Sequence, residues 1–154
     1  MKRVALALGA AALAAALIHL RRHRTDPEEV VRAYFDAWSE GDGEAMRDLV
    51  SDDYQAHVHA LDGTEERDAD QLITVVDSHA KAFSEVEYEL HEVLCHDDCV
   101  AVRATMHACH EETGREAEMD GIAILRLDGG RIAEEWSSWD YLGLANQLGL
   151  AESA

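Results

Sequence analysis

The apolar positions change period partway along the chain, from helical spacing before residue 84 to alternation after it. Thr25-Asp26-Pro27-Glu28-Glu29 predicts a helix start: Asp26 caps, Pro27 suits the first helical position, and Glu29 closes a capping box at the positive dipole end. Val30, Val31, Tyr34, Phe35 and Trp38 then share one side until Gly41-Asp42-Gly43 breaks the helix. A shorter helix is predicted over Glu44 to Val50, a strand over Tyr54 to Ala60, and a third helix over Asp68 to Phe83 with Leu72, Ile73, Val75, Val76 and Ala80 as its buried side.

From Glu85 the pattern reads as strands. Val86, Tyr88 and Leu90 alternate with acids up to a turn at His96-Asp97-Asp98, and Val100, Val102, Ala104 and Met106 form the return strand. Gly114 marks a second turn, Gly121 to Leu127 a third strand, and Asp128-Gly129-Gly130 a tight turn into Arg131 to Trp139, with a terminal turn over Tyr141 to Leu148. About three helices followed by an antiparallel run predict an α+β domain with the helices on one face of the sheet. No internal repeat or low-complexity linker interrupts it.

Composition and charge add a solvent to this picture. The 154 residues are 47% apolar, enough for a core, and carry 32 Asp and Glu against 13 Lys and Arg, a net charge of −19. Five of the basic residues precede position 25, so residues 25–154 hold eight basic against all 32 acidic residues, a balance of −24. Such a surface excludes free nucleic acid as a partner. With Lys2 and Lys81 the only lysines, it reads as an adaptation to concentrated salt, which screens the self-repulsion.

The chain divides into residues 1–24, a hydrophobic segment with basic flanks, and residues 25–154, the folded domain. Val4 to Leu20 lack charge apart from His19, and as a helix this stretch would span about 25 Å, short for a bilayer. A membrane anchor through residues 4–20 is the favoured expectation, with Arg21, Arg22 and Arg24 placing the domain on the cytoplasmic side. A signal peptide with Ala14-Ala15-Ala16 near its cleavage site and a misassigned start giving a soluble cytoplasmic protein remain open.

Three separated stretches carry a resemblance. GRIAEEWSSWDYLGLANQLG after a strand ending ILRLDG, YFDAWSEGDGEAMRDLVSDDYQAH, and VAVRATMHACH are similar, in order, to the closing, opening and central segments of the SnoaL-like polyketide cyclase family of the nuclear transport factor 2-like superfamily, covering residues 27–149. The loop between His110 and Gly121 is shorter than the family's. The resemblance implies a cone, a strongly curved antiparallel sheet wrapping the helices around a pocket for a small hydrophobic molecule. It also implies cofactor-free chemistry in which an acid takes a proton next to a carbonyl and the enolate closes a ring.

The residue matching that acid is Asp140. Strict alternation would place Ile132, Glu134, Trp136, Ser138 and Asp140 on one face, and a carboxylate beside Trp136 in a partly dry pocket is suited to general-base work. The bland alternative for Asp140 is the cap of the terminal turn. His57, matching the family's strand histidine, would donate to the enolate oxygen or relay the proton, and His59 shares its face. Two solvated histidines on a surface strand are the competing reading. Tyr34, Trp38 and Trp136 are candidate pocket walls, and His110 matches the family's central-strand histidine.

Cys95, Cys99 and Cys109, with His96, His107 and His110, allow a zinc site to be drawn, but only one closely spaced cysteine pair exists, so no metal is expected. A Cys95–Cys99 disulfide and three free thiols both fit. Three functions compete: an enzyme without cofactor acting on a small carbonyl compound by cyclisation or isomerisation, a binding module for a small hydrophobic ligand, and a homodimeric structural domain joined through the exposed sheet face.

Overall fold

The computed structural model describes residues 25–150. The expectations about residues 1–24, including the anchor at 4–20, lie outside these residues; among the described helices none is long and apolar enough to cross a membrane.

Helix α1, Pro27–Glu40, starts as its sequence dictates: the Asp26 carboxylate accepts the Glu28 N–H at 3.0 Å, with Pro27 in the first turn. It ends where Gly41 adopts φ +64°, and glycine is needed twice over, because a Cβ there would also collide with Ala80. Helix α2, Gly43–Leu49, is capped by Asp42 and buries Met46. Val50, expected to end that helix, instead opens strand β1, Val50–Ala60. Strand β2, Gly63–Asp68, is an exposed edge whose Thr-Glu-Glu-Arg core has no apolar alternation and gave no strand signal. Helix α3, Ala69–Ala82, begins in a reciprocal capping box between Asp68 and Gln71.

Four long strands follow: β3 (Phe83–His96), β4 (Cys99–His110), β5 (Arg115–Asp128) and β6 (Arg131–Trp139), before helix α4 (Tyr141–Leu148). They join β1 and β2 in one six-stranded sheet of order β2-β1-β6-β5-β4-β3. The sheet is antiparallel, as the strand pattern predicts, except at one pair, β1 and β6, which run parallel. The chain leaves β1 by a hairpin and returns to its side only after a helix and three strands, the long connection a parallel pair requires. The curled sheet and its helices make an α+β cone.

The core gathers Val31, Tyr34, Met46, Tyr54, Leu72, Val76, Leu125 and Ile132, each at most 2% exposed, between α1, α3 and the concave side of the sheet. One irregularity sets the orientation of everything after it. Arg126 pairs with Glu134 but Leu127 pairs with Ile132, leaving Ala133 as an extra residue in β6. Beyond this bulge the phase reverses: Glu135, Ser137 and Trp139 point inward with Ile132, and Glu134, Trp136 and Ser138 point out.

Candidate functional site

A cavity of about 150 Å³ lies inside the cone. Tyr34, Phe35 and Trp38 of α1 form one wall, because the helical stripe that binds α1 to the sheet is also its aromatic stripe. Leu72, Val75 and His79 of α3 form a second wall, and the sheet contributes Tyr54, Ala56 and Val58 of β1 with Glu135, Ser137 and Trp139 of β6. Gly121 makes room for the Trp139 ring, which lies directly over it where any Cβ would stand.

The chemistry of this space centres on Glu135, a carboxylate 7% exposed. Its Oε2 accepts two buried hydrogen bonds, from the Tyr34 hydroxyl at 2.6 Å and the Tyr54 hydroxyl at 2.8 Å. Oε1 receives no hydrogen bond among the described residues. Burial, reinforced by the nearby Glu135 charge, raises both phenols above their ordinary range, so both remain protonated donors. A carboxylate held by two fixed donors on one oxygen and open on the other is positioned to accept a proton.

His79 supplies a second titratable group. Burial lowers its pKa, favouring neutral imidazole. The ring sits 5.5 Å from Trp38 and 5.0 Å from Phe83, with Nε2 3.3 Å from the Met106 sulfur. Nδ1 is buried and makes no hydrogen bond among the described residues. Arg67 of β2 and Tyr141 of α4 complete the wall. Burial raises the Tyr141 phenol, so its hydroxyl is also a donor.

Of the residues singled out in the sequence, the structure brings Tyr34 and Trp38 to the cavity and places the others elsewhere. Asp140 is exposed and caps α4, its Oδ1 accepting the Gly143 N–H at 2.8 Å. The bulge at Ala133 is the reason, since it turns Asp140, Ser138 and Trp136 to the convex face. His57 lies on that face too, 5.5 Å from the Trp136 ring in a stacked arrangement, between Glu66 at 2.8 Å and Glu134 at 3.4 Å. The Glu66 hydrogen bond foremost raises its pKa. His59 is exposed beside it. His110 is buried at the end of β4, where Nδ1 meets the Thr113 hydroxyl at 3.0 Å and the ring packs on Phe83, away from the cavity wall.

Glu135, His79 and Arg67 were not singled out in the sequence. For Glu135 a signal existed: Tyr54, Ala56 and Val58 are the apolar set of β1, so His57 and His59 belong outside. With Ile132 and Trp139 both needed inside, β6 must slip phase once, at Ala133-Glu134-Glu135. All three cysteines are free thiols, and no group of three or more metal-ligating side chains occurs among the described residues.

Comparison with known proteins agrees with this architecture. The fold is similar to that of IdmH, a candidate polyketide cyclase from Streptomyces antibioticus, with a TM-score of 0.72 at 24% identity over 80% of this chain and 99% of that one. It is also similar to AclR, a candidate hydroxylase from Streptomyces galilaeus (TM-score 0.72, 20% identity, 83% of this chain and 87% of that one). A SnoaL-like candidate polyketide cyclase from Shewanella denitrificans gives 0.69 at 16% identity over 81% and 98%. Among curated proteins none matches significantly. A model of the SnoaL-like domain matches residues 31–135, well over half the chain. The cone, its aromatic cavity and this match converge on one conclusion: the chain belongs to the SnoaL-like domain family.

Proposed function

We propose that the protein is a cofactor-free acid–base enzyme acting on a small hydrophobic carbonyl compound held in the cone, with Glu135 as the proton acceptor. The observation that carries this reading is the buried Glu135 carboxylate on the cavity wall, fixed through one oxygen by Tyr34 and Tyr54. Oε1 takes a proton from the carbon next to the substrate carbonyl, leaving the electron pair as an enolate. The Tyr141 hydroxyl, kept protonated by burial, is the wall group suited to donate to the enolate oxygen. The same Glu135 then returns its proton at another carbon, giving isomerisation, or the enolate carbon attacks a second carbonyl of the same molecule and the resulting alkoxide takes the proton back from Glu135, giving cyclisation.

Volume restricts the substrate. A cavity of about 150 Å³ suits a molecule of one ring. Incubating wild type and Glu135→Gln with single-ring β-dicarbonyl compounds in concentrated salt tests the reading. Turnover reduced by roughly 100-fold or more in the variant is expected from loss of a general base. Equal turnover in both proteins, or binding without turnover in wild type, would refute it, the latter leaving the cone as a binding module.

A further inference from the structure

Among the described residues five arginines form ion pairs, and these are of two kinds. Arg32, Arg47, Arg103 and Arg126 have half-exposed side chains and meet carboxylates on the surface. Arg67 is different: its side chain is only 18% exposed and forms part of the cavity wall. Its ion pair uses one nitrogen, Nη2, on the Oε2 of the largely exposed Glu65 at 2.6 Å. Nε and Nη1 make no hydrogen bond among the described residues. A guanidinium has five N–H donors arranged to grip a planar anion, and withdrawing most of them from water costs free energy unless something receives them.

The surroundings narrow what that receiver is. Tyr141, beside Arg67 in the wall, keeps its hydroxyl protonated; its oxygen can accept one guanidinium N–H but carries no charge to match the cation. The buried carboxylate of the cavity, Glu135, acts on Arg67 through its charge but makes no hydrogen bond to it among the described residues, Tyr34 and Tyr54 both donating to its Oε2. A neutral apolar ligand would fill the aromatic space and leave the Arg67 donors stranded. A carboxylate would accept two of them in parallel.

We propose that the cavity selects a small ring compound carrying a carboxylate, with the carboxylate on Arg67 and the ring among Tyr34, Phe35 and Trp38. This rests on the acid–base reading only in that the ring would then present its acidic C–H to Glu135; the anion preference stands on Arg67 alone. The acidic surface repels such a ligand at long range, so attraction must be local, from a cation inside the wall.

The test compares phenylacetate with phenylacetamide, equal in shape and different in charge, by titration calorimetry on the full chain in concentrated salt. Wild type is expected to hold the anion at least about tenfold more tightly. Arg67→Gln should erase the difference while leaving the amide's affinity within about twofold, which also shows that the variant folds; Arg67→Lys should keep part of the preference. Equal affinities in wild type, a preference that survives Arg67→Gln, or binding of neither compound would overturn the proposal. Because the readout is binding, loss of turnover in Glu135→Gln neither supports nor harms it.

Discussion

The two faces of strand β6 carry the same residue types and do opposite things. Inward lie Glu135, Ser137 and Trp139; outward lie Glu134, Ser138 and Trp136. Glu135 is buried and bound by two phenols, whereas Glu134 is shared between Arg126 at 2.8 Å and His57 at 3.4 Å on a wet surface. Trp139 walls the cavity; Trp136 is 41% exposed under the His57 ring. An acid, a hydroxyl and an indole do not make a site by being present. Desolvation, fixed partners and an enclosed space make one, and a single extra residue in the strand decides which set receives them.

Removing the two acids should separate the faces most sharply. Glu135→Ala orphans two buried tyrosine hydroxyls, each costing about 1–3 kcal/mol, so chemical denaturation should show a loss of several kcal/mol. Glu134→Ala breaks only water-exposed pairs and should leave the midpoint close to wild type. Comparable losses in both variants would erase the distinction.

The indole pair gives a smaller contrast. Gly121→Ala forces the Trp139 ring off the sheet and should cost about 1–3 kcal/mol, with a change in near-ultraviolet circular dichroism from the displaced indole. Asp140→Ala removes a helix cap and should cost about 1 kcal/mol. An Asp140→Ala loss larger than that of Glu135→Ala would invert the assignment of the two carboxylates.

The smallest effect, and the most diagnostic in sign, is the response of two histidines to pH. His57, raised above its ordinary 6.5 by Glu66, adds stability that is complete below 6.5 and disappears as pH rises through the folded value. His79, lowered by burial, does the reverse: no penalty exists above 6.5, and stability falls as pH drops below it. Imidazole proton shifts followed by NMR should place the two midpoints on opposite sides of 6.5. Both midpoints on one side would contradict the placement of one of the rings.

Much of this molecule was legible in its sequence because local chemistry fixed it. Asp26-Pro27 and Gly41 bound α1, the stripe from Val30 to Trp38 became its buried side, and Asp128-Gly129-Gly130 turned β5 into β6. Tyr34 and Trp38 reached the cavity because a buried helical face next to a hollow sheet lines whatever space is left. The candidate site was less legible. Alternation assigns faces only relative to a phase, so one bulge at Ala133 exchanged Glu135 for Glu134, Trp136 and Asp140. Arg67 lay on an edge strand without apolar alternation, and His79 on a helix whose inward stripe read as Leu72, Val75 and Val76. Their approach to one cavity is a tertiary fact with no local signature.

The most direct test of the account follows solvent deuterium into the position next to the carbonyl of a single-ring β-dicarbonyl compound, by proton NMR, for wild type, Glu135→Gln and Asp140→Asn side by side. Exchange in wild type, slowed roughly 100-fold or more by Glu135→Gln and within about twofold of wild type in Asp140→Asn, is the predicted result. Exchange that persists in Glu135→Gln and collapses in Asp140→Asn would place the base on the convex face and contradict the account.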